Sequence, residues 1–570
     1  MIKTTSIVRI RLITAFIVLF ALVLVVRLYF VQIVSGDAFK NRAERQYVRS
    51  AQDIFDRGSI YFRHSDGSLI SAATLKSGYM VSINPDLIKE PEVAYAKLGE
   101  IIALDKEFFL AKAAKQNDPY EEIAKRLDQS IAERIDALGI PGVYTYQEKW
   151  RYYPQGTLAA HLLGFVGYSG DTRQGQYGLE KQYDGLLARK TDSLYVNFFA
   201  EIFSNIRGSL GGGESREADV ITFIEPAVQK KIEEELSKIQ SKWSSKESGA
   251  IIINPVSGEV YAMAALPTFD PNKYQTENDY AIFTNPLVEK VYEMGSIVKP
   301  LTVAMGIDSG VITRNSTYVD EGFLTLNNAT VYNFDKKGRG TVTIQEALNQ
   351  SLNTGAAYVA SKVGKKNFAD YLNRFGLHEK TGIDLPGEAA NIVRDISKAE
   401  DIELATASYG QGIALSPIAT VSALSTLVNG GTRITPHVAA FLDYKQGFSK
   451  QIGSKQGERV IKQETAEEVT RMLVEVVDKA LLEGSVKIPH YSVAAKTGTA
   501  LIPKSQGKGY EEGKYLHSFF GYFPAYDPKF LVFLYTIDPK GVTFASHTLT
   551  HPFIDITKFL INYYKVPPDR

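Results

Sequence analysis

Cysteine is absent from all 570 residues. Its absence excludes a thiol nucleophile, a disulfide framework and any thiolate-held metal or cluster. Net charge is absent as well, because 64 Lys and Arg balance 64 Asp and Glu. A neutral chain has no electrostatic footprint for nucleic acid, so none is expected as a partner. Histidine is scarce: eight residues, scattered along the chain. His547 and His551 have i,i+4 spacing but lack the glutamate of a zinc-hydrolase helix, so neither a metal nor a cofactor is expected. Internal repeats and low-complexity tracts are missing too. What remains is an ordinary globular composition, 44% hydrophobic and 22% charged, which argues against disorder. At roughly 150 residues per domain the length suggests three to four units.

One long apolar run interrupts this picture. Leu12 to Val34 contains only Thr14, Arg27 and Gln32 as polar residues. Its 23 positions compare with ~20 needed to cross a bilayer. Arg27, near the distal end, can snorkel to the interface. A cleaved signal peptide would have a shorter apolar region and a small-x-small site, and none is evident. The run is therefore expected to be a single uncleaved signal anchor, with everything after residue 35 on one side of the membrane. Charges flank it on both sides: Lys3, Arg9 and Arg11 before, Lys40, Arg42, Arg45 and Arg49 after. Charge bias alone thus leaves its orientation open.

Residues 36–215 are polar and mixed. Strand-like pieces such as Tyr79–Ile83 alternate with stretches of helical character such as Pro119–Leu138. The run Gly208-Ser209-Leu210-Gly211-Gly212-Gly213 reads as a linker, and a domain boundary is expected near 215. Beyond it, Pro226 opens a helix whose apolar residues Val228, Ile232, Leu236, Ile239 and Trp243 recur at helical spacing. Ala250–Asn254 and Glu259–Leu266 flank a Pro-Val-Ser-Gly turn, and Ser518–Phe523 and Phe530–Ile537 flank Ala525-Tyr526-Asp527-Pro528. Both read as hairpins. Helices are expected between them, for example over 343–350 and 354–363. Strands at both ends with helices between indicate an α+β fold, helices packed on an antiparallel sheet.

Three short motifs carry chemistry. In Ser296-Ile297-Val298-Lys299 the helical i,i+3 spacing puts the amine within reach of the hydroxyl. Serine is a poor nucleophile until a base takes its proton. Lysine can be that base if burial or a nearby charge lowers its pKa from ~10.4. Ser351-Leu352-Asn353 falls between two helices and offers a hydroxyl and an amide. Lys496-Thr497-Gly498-Thr499 follows the strand-like Tyr491–Ala495. It offers a cation, two hydroxyls and a glycine beside which a substrate backbone can lie. Each motif alone is weak, and their shared order and spacing make the signal.

With these three motifs the sequence resembles a class B penicillin-binding protein, the monofunctional peptidoglycan D,D-transpeptidase. The likeness extends over nearly the whole chain. Arg57-Gly58-Ser59-Ile60, Arg151-Tyr152-Tyr153-Pro154-Gln155-Gly156, and Gly178-Leu179-Glu180 with Tyr183-Asp184 resemble pedestal motifs of that class. Thr381-Gly382-Ile383, Leu385-Pro386-Gly387-Glu388 and Gly410-Gln411-Gly412-Ile413 resemble its transpeptidase domain. Departures are His64-Ser65-Asp66-Gly67 after the first pedestal motif, Met294 where a proline is frequent, and Leu352 where a serine is.

The resemblance implies a layout: membrane anchor over 1–35, mixed α/β pedestal over 36–215, and penicilloyl-serine transferase domain over 216–570. It also implies roles. Ser296 would be acylated by the penultimate D-alanine of a stem peptide. Lys299 would be the base, Ser351 the proton relay, and Asn353 the group orienting Lys299 and the substrate amide. Lys496, Thr497 and Thr499 would hold the terminal carboxylate, with Gly498 between them. The backbone N–H groups of Ser296 and Thr499 would form the oxyanion hole. The implied partners are peptidoglycan stem peptides on a lipid-linked precursor polymer, β-lactams as covalent inhibitors, the bacterial cytoplasmic membrane and a polytopic glycosyltransferase within it. Alternatives are a D,D-carboxypeptidase and a membrane-tethered β-lactam sensor or scaffold. A β-lactamase would need a deacylating base, for which Glu388 is the residue to inspect.

Overall fold

The structure is a computed structural model and describes residues 14, 16–24, 27, 56–170, 172–189, 217–445, 447–453, 456–504, 507 and 509–570. By internal contact the chain forms two compact units, each assembled from separated stretches. One comprises Met1–Asp56, Leu75–Trp150 and Lys190–Glu214; the other comprises Arg57–Thr74, Arg151–Arg189 and Ser215–Arg570. Compactness thus groups the chain differently from a contiguous partition. Parts of the strands Leu69–Ile83 and Val143–Tyr152 fall in each unit.

In the first unit, residues 14, 16–24 and 27 are helical. No helix among the described residues is long and apolar enough to cross a membrane. The rest of the expected span Leu12–Val34 lies outside the described residues, as does the glycine run 208–213. A hydrophobic core of this unit gathers Val81, Ile83, Leu98, Phe109, Ile123 and Ile135. The helix expected over Pro119–Leu138 is corrected. Glu121–Leu127 is a strand paired antiparallel with Tyr79–Ile83, and helix begins only at Gln129. Glu121 and Ile123 are buried at alternate positions. The strong helix formers Glu, Ala, Lys and Arg mask that period of two, and pairing outweighs a propensity of a few tenths of a kcal/mol per residue.

The second unit contains a five-stranded sheet. Its elements in chain order are α1 (Pro226–Trp243), β1 (Glu247–Ile253), β2 (Val260–Leu266), α2 (Lys299–Asp308), α3 (Asn353–Val363), β3 (Ala494–Pro503), β4 (Tyr510–Phe523), β5 (Phe530–Ile537) and α4 (Thr550–Tyr563). The strand order is β3-β4-β5-β1-β2, and every neighbouring pair is antiparallel. Both faces are buried. Phe530, Val532 and Leu534 of β5 enter a core with α1 and α4. Leu531, Phe533 and Tyr535 enter the larger core on the other face, with α2 and the remaining helices. This explains why the strands read as apolar runs rather than as strict alternation. α1 begins at Pro226 and buries Val228, Ile232, Leu236 and Ile239 on one face, each worth ~1.5–3 kcal/mol.

The N-terminal pieces of this unit carry a buried ion cluster. Arg57 donates to Glu180 at 2.7 Å and to Asp184 at 2.7 Å, and Arg151 donates to Glu180 at 2.5 Å. Tyr153 adds a hydroxyl to the same carboxylate at 3.2 Å. At the departure after Ile60, His64 pairs instead with Glu225 at 2.9 Å. The strand Ile60–Arg63 runs parallel to Ala218–Thr222, which pairs in turn with Ala439–Tyr444.

Candidate active site

Ser296 lies in a 3-10 turn, Gly295–Val298, that runs directly into α2. Lys299 is therefore the first residue of the α-helix. The 3-10 turn keeps i and i+3 on one face, as a continuous helix would. Gly295 has φ +63°, and a Cβ there would meet the Thr499 carbonyl oxygen at 3.0 Å. The turn thus lies close against β3. Gly498 makes the same point from the strand side. A Cβ at that position would fall 2.2 Å from Ser518 Oγ and 2.7 Å from the Met294 carbonyl. Ser518, opposite Gly498 on β4, donates its hydroxyl to that carbonyl at 2.7 Å. First and third motifs, separated by some two hundred residues, thus meet backbone to backbone.

Lys496 points from β3 into the interior and is 2% exposed, as is Lys299. Their amines converge on one residue. Lys299 Nζ donates to the Ser351 carbonyl at 2.5 Å and lies 3.2 Å from Ser351 Oγ. Lys496 Nζ donates to Ser351 Oγ at 2.9 Å and to the Thr497 carbonyl at 3.0 Å. Among the described residues no ion pair reaches either amine. Burial, and then the charge of Lys496, push Lys299 well below the ordinary ammonium range. Burial brings Lys496 down to about 7. Two ammonium groups sharing one hydroxyl without a carboxylate are costly, and the arrangement favours losing a proton.

Ser351 adopts φ +56°, a left-handed conformation unusual for serine. Such strain, of order 1–3 kcal/mol, persists only where its surroundings over-determine it. Asn353 is the first residue of α3. Its side-chain amide donates to the Tyr332 carbonyl at 2.8 Å, so the described contact to Lys299 comes from Ser351. Thr497, Gly498 and Thr499 lie along β3, an edge strand of the sheet, where an extended peptide can add. Thr499 Oγ1 accepts from Ala545 N at 3.1 Å. Glu388 is turned to a different task. Its carboxylate accepts from Thr381 N at 2.6 Å, Thr381 Oγ1 at 2.7 Å and Gly382 N at 3.1 Å, which closes a turn. Sequence reasoning missed Ser518, whose partnership with Met294 depends on strand register, and the Lys496–Ser351 bond, which no spacing reveals.

Two family models match this chain. The family model for the penicillin-binding protein transpeptidase domain matches residues 248–556, and that for the penicillin-binding protein dimerisation domain matches residues 55–198. Stage V sporulation protein D of Bacillus subtilis is 29% identical over 96% of this chain and 84% of its own length. A probable peptidoglycan D,D-transpeptidase, PenA, of Neisseria gonorrhoeae is 27% identical over 97% and 92%. Among solved structures, penicillin-binding protein 2X of Streptococcus thermophilus superposes with a TM-score of 0.72 at 18% identity, covering 90% of this chain and 80% of that one. Penicillin-binding protein 3 of Mycobacterium tuberculosis, in complex with aztreonam, gives 0.69 at 21% over 91% and 98%.

Fold and motifs together define a serine acyltransferase of the penicillin-binding type, and the chain belongs to the penicillin-binding protein transpeptidase family. With the dimerisation domain preceding the transpeptidase domain, it is a class B penicillin-binding protein, a peptidoglycan D,D-transpeptidase. Peptidoglycan belongs to the bacterial cell envelope, and that is where it acts.

Proposed function

We propose that Ser296 is the acylated residue of this transpeptidase, with Lys299 as its base. The observation that carries the reading is the convergence on Ser351 Oγ of two buried amines that no ion pair reaches among the described residues. Lys299, neutral, takes the proton of Ser296 Oγ as that oxygen attacks the carbonyl of the penultimate D-alanine. The C–N bond to the terminal D-alanine breaks, an ester to Ser296 forms, and the proton reaches the leaving nitrogen through Ser351. Lys496, Thr497 and Thr499 hold the terminal carboxylate beside Gly498. Backbone N–H groups of Ser296 and Thr499 receive the oxyanion, an interaction whose single donors are worth ~2.7–4 kcal/mol in other acyl-transfer enzymes. Asn353 orients the substrate amide. The amine of a second stem peptide then attacks the ester, an amide forms, and Ser296 recovers its proton. A β-lactam enters the first half of this path and stays as an ester, because Glu388 is tied into its own turn.

The layout in this reading is an anchor over 1–35, a pedestal over 36–215 and the catalytic domain over 216–570. The anchor holds the enzyme on the outer side of the cytoplasmic membrane, beside a lipid-linked polymer and a polytopic glycosyltransferase, in septal or side-wall synthesis. Labelling with a fluorescent penicillin followed by peptide mapping tests the assignment. Label is expected on Ser296 and lost in Ser296→Ala. Label retained in that variant, or found on another serine, overturns it. Incubation with a pentapeptide donor and an amine acceptor should yield the cross-linked amide. Release of tetrapeptide alone would make the enzyme a carboxypeptidase.

A further inference from the structure

Helix α3 carries the end of the second motif, yet its N-cap residue is Leu352, which has no side-chain oxygen to receive the orphan N–H groups of the first turn. Two of them are received from outside the helix. Asn333 Oδ1 accepts from Asn353 N at 2.9 Å and from Thr354 N at 3.2 Å. Asn333 is 2% exposed and sits in the loop that leaves the hairpin Phe323–Tyr332. Its own amide is held in turn. Asn333 Nδ2 donates to both oxygens of Asp320, at 2.9 and 3.1 Å. Asp320, 1% exposed, also accepts from Thr354 Oγ1 at 2.8 Å, Gly322 N at 3.1 Å and Arg339 N at 3.0 Å. The Arg339 side chain then grips Gln350 Oε1 at 2.9 Å. The strained Ser351 is therefore clamped on both sides, by Gln350 before it and by Asn353 after it.

We infer that Asn333 and Asp320 are positioning residues for the transpeptidase reaction, which hold Ser351 Oγ between the two lysine amines by capping α3 from outside. Resting on the role proposed for Ser296, Lys299 and Ser351, this inference adds two residues that touch neither substrate nor nucleophile. Asp320 can only accept, so it orients the Asn333 carboxamide with its nitrogen inward and its oxygen towards α3. Without that orientation the oxygen and nitrogen would exchange places, and two backbone N–H groups of α3 would face an N–H donor. The left-handed Ser351 would then have lost one of its two supports and could relax towards a common conformation. That would carry its hydroxyl off the line between Lys299 and Lys496. Neither residue stands out in the sequence, because 13 and 20 positions separate Asp320 and Asn333 from their respective neighbours in the network.

The test measures acylation of the full chain by a fluorescent penicillin at several concentrations. This separates the half-saturating concentration from the limiting acylation rate. Asn333→Ala and the isosteric Asp320→Asn are expected to lower the limiting rate by ten- to about a hundredfold, with the half-saturating concentration changed much less. The exchanged pair, Asn333→Asp together with Asp320→Asn, restores an acceptor facing α3 and a donor facing it from position 320. It should acylate faster than Asn333→Asp alone. An unchanged limiting rate in Asp320→Asn overturns the inference. So does a parallel loss of both parameters in step with the folded fraction, or an exchanged pair no better than the single change. Ser296→Ala run alongside separates the two levels: label persisting there removes the functional reading itself, whereas label lost there and unaffected in Asp320→Asn removes only the positioning role.

Discussion

Replacing Lys496 by methionine should stabilise the fold at low pH while abolishing its chemistry. The ammonium of Lys496 is 2% exposed, and burial lowers its pKa from 10.5 to about 7. Between these values the unfolded chain binds the proton and the folded one does not. The contribution of Lys496 to stability therefore rises with pH from about 7 to 10.5 and is flat, at its fully penalised level, below 7. Each pH unit in the gap is ~1.4 kcal/mol, so below pH 7 holding this amine costs on the order of 5 kcal/mol. At pH 9 the remaining cost is about 2 kcal/mol. Methionine removes that cost but also the bonds to Ser351 Oγ and the Thr497 carbonyl, at ~1 kcal/mol each. The net expectation is a gain of about 3 kcal/mol at pH 6 and almost none at pH 9. Trp243, at the end of α1, reports on the catalytic sheet once Trp150→Phe removes the other tryptophan. Urea unfolding followed by its fluorescence should then show a midpoint raised by up to ~1 M at pH 6 and hardly moved at pH 9. An equal shift at both pH values, or destabilisation at pH 6, would refute the burial argument.

Three further outcomes are expected. Gly498→Ala drives a methyl into Ser518 Oγ and the Met294 carbonyl, which displaces the turn of Ser296, so stopped-flow acylation by penicillin should slow by roughly tenfold or more; an unchanged rate would show that the close approach is idle. Glu180→Ala leaves Arg57 and Arg151 buried without their shared carboxylate and should destabilise the catalytic unit by about 3–5 kcal/mol, read as a lowered thermal midpoint. Glu388→Gln should leave the lifetime of the penicilloyl-enzyme unchanged but weaken the turn at Thr381 and Gly382 by about 1–3 kcal/mol; a longer-lived adduct would instead make Glu388 a deacylating base.

Much of the fold was legible because local chemistry and tertiary packing agreed. Pro226 and the spacing of Val228, Ile232, Leu236 and Ile239 predicted α1 at its observed bounds, since one face of a helix must be buried to be stable. Both hairpins appear as antiparallel pairs of the central sheet. The reading failed at Glu121–Leu127, where strong helix formers occupy a strand. There pairing with Tyr79–Ile83 is a non-local contact that no window of sequence contains.

The candidate site divides along the same line. The sequence by itself determined the chemical inventory: a serine and a lysine three residues apart, a second serine, a second lysine on a strand, and no thiol to rival them. These follow from residue type and short spacing, which the chain carries everywhere. Only the tertiary structure decided what the inventory does. It brought Lys299 and Lys496 from distant elements onto one hydroxyl, and it stripped both of water and of any described carboxylate. It turned Glu388 into a turn closure and left Asn353 bonded to a backbone carbonyl. Desolvation and hydrogen-bond direction belong to the three-dimensional environment, and they set which amine can serve as a base.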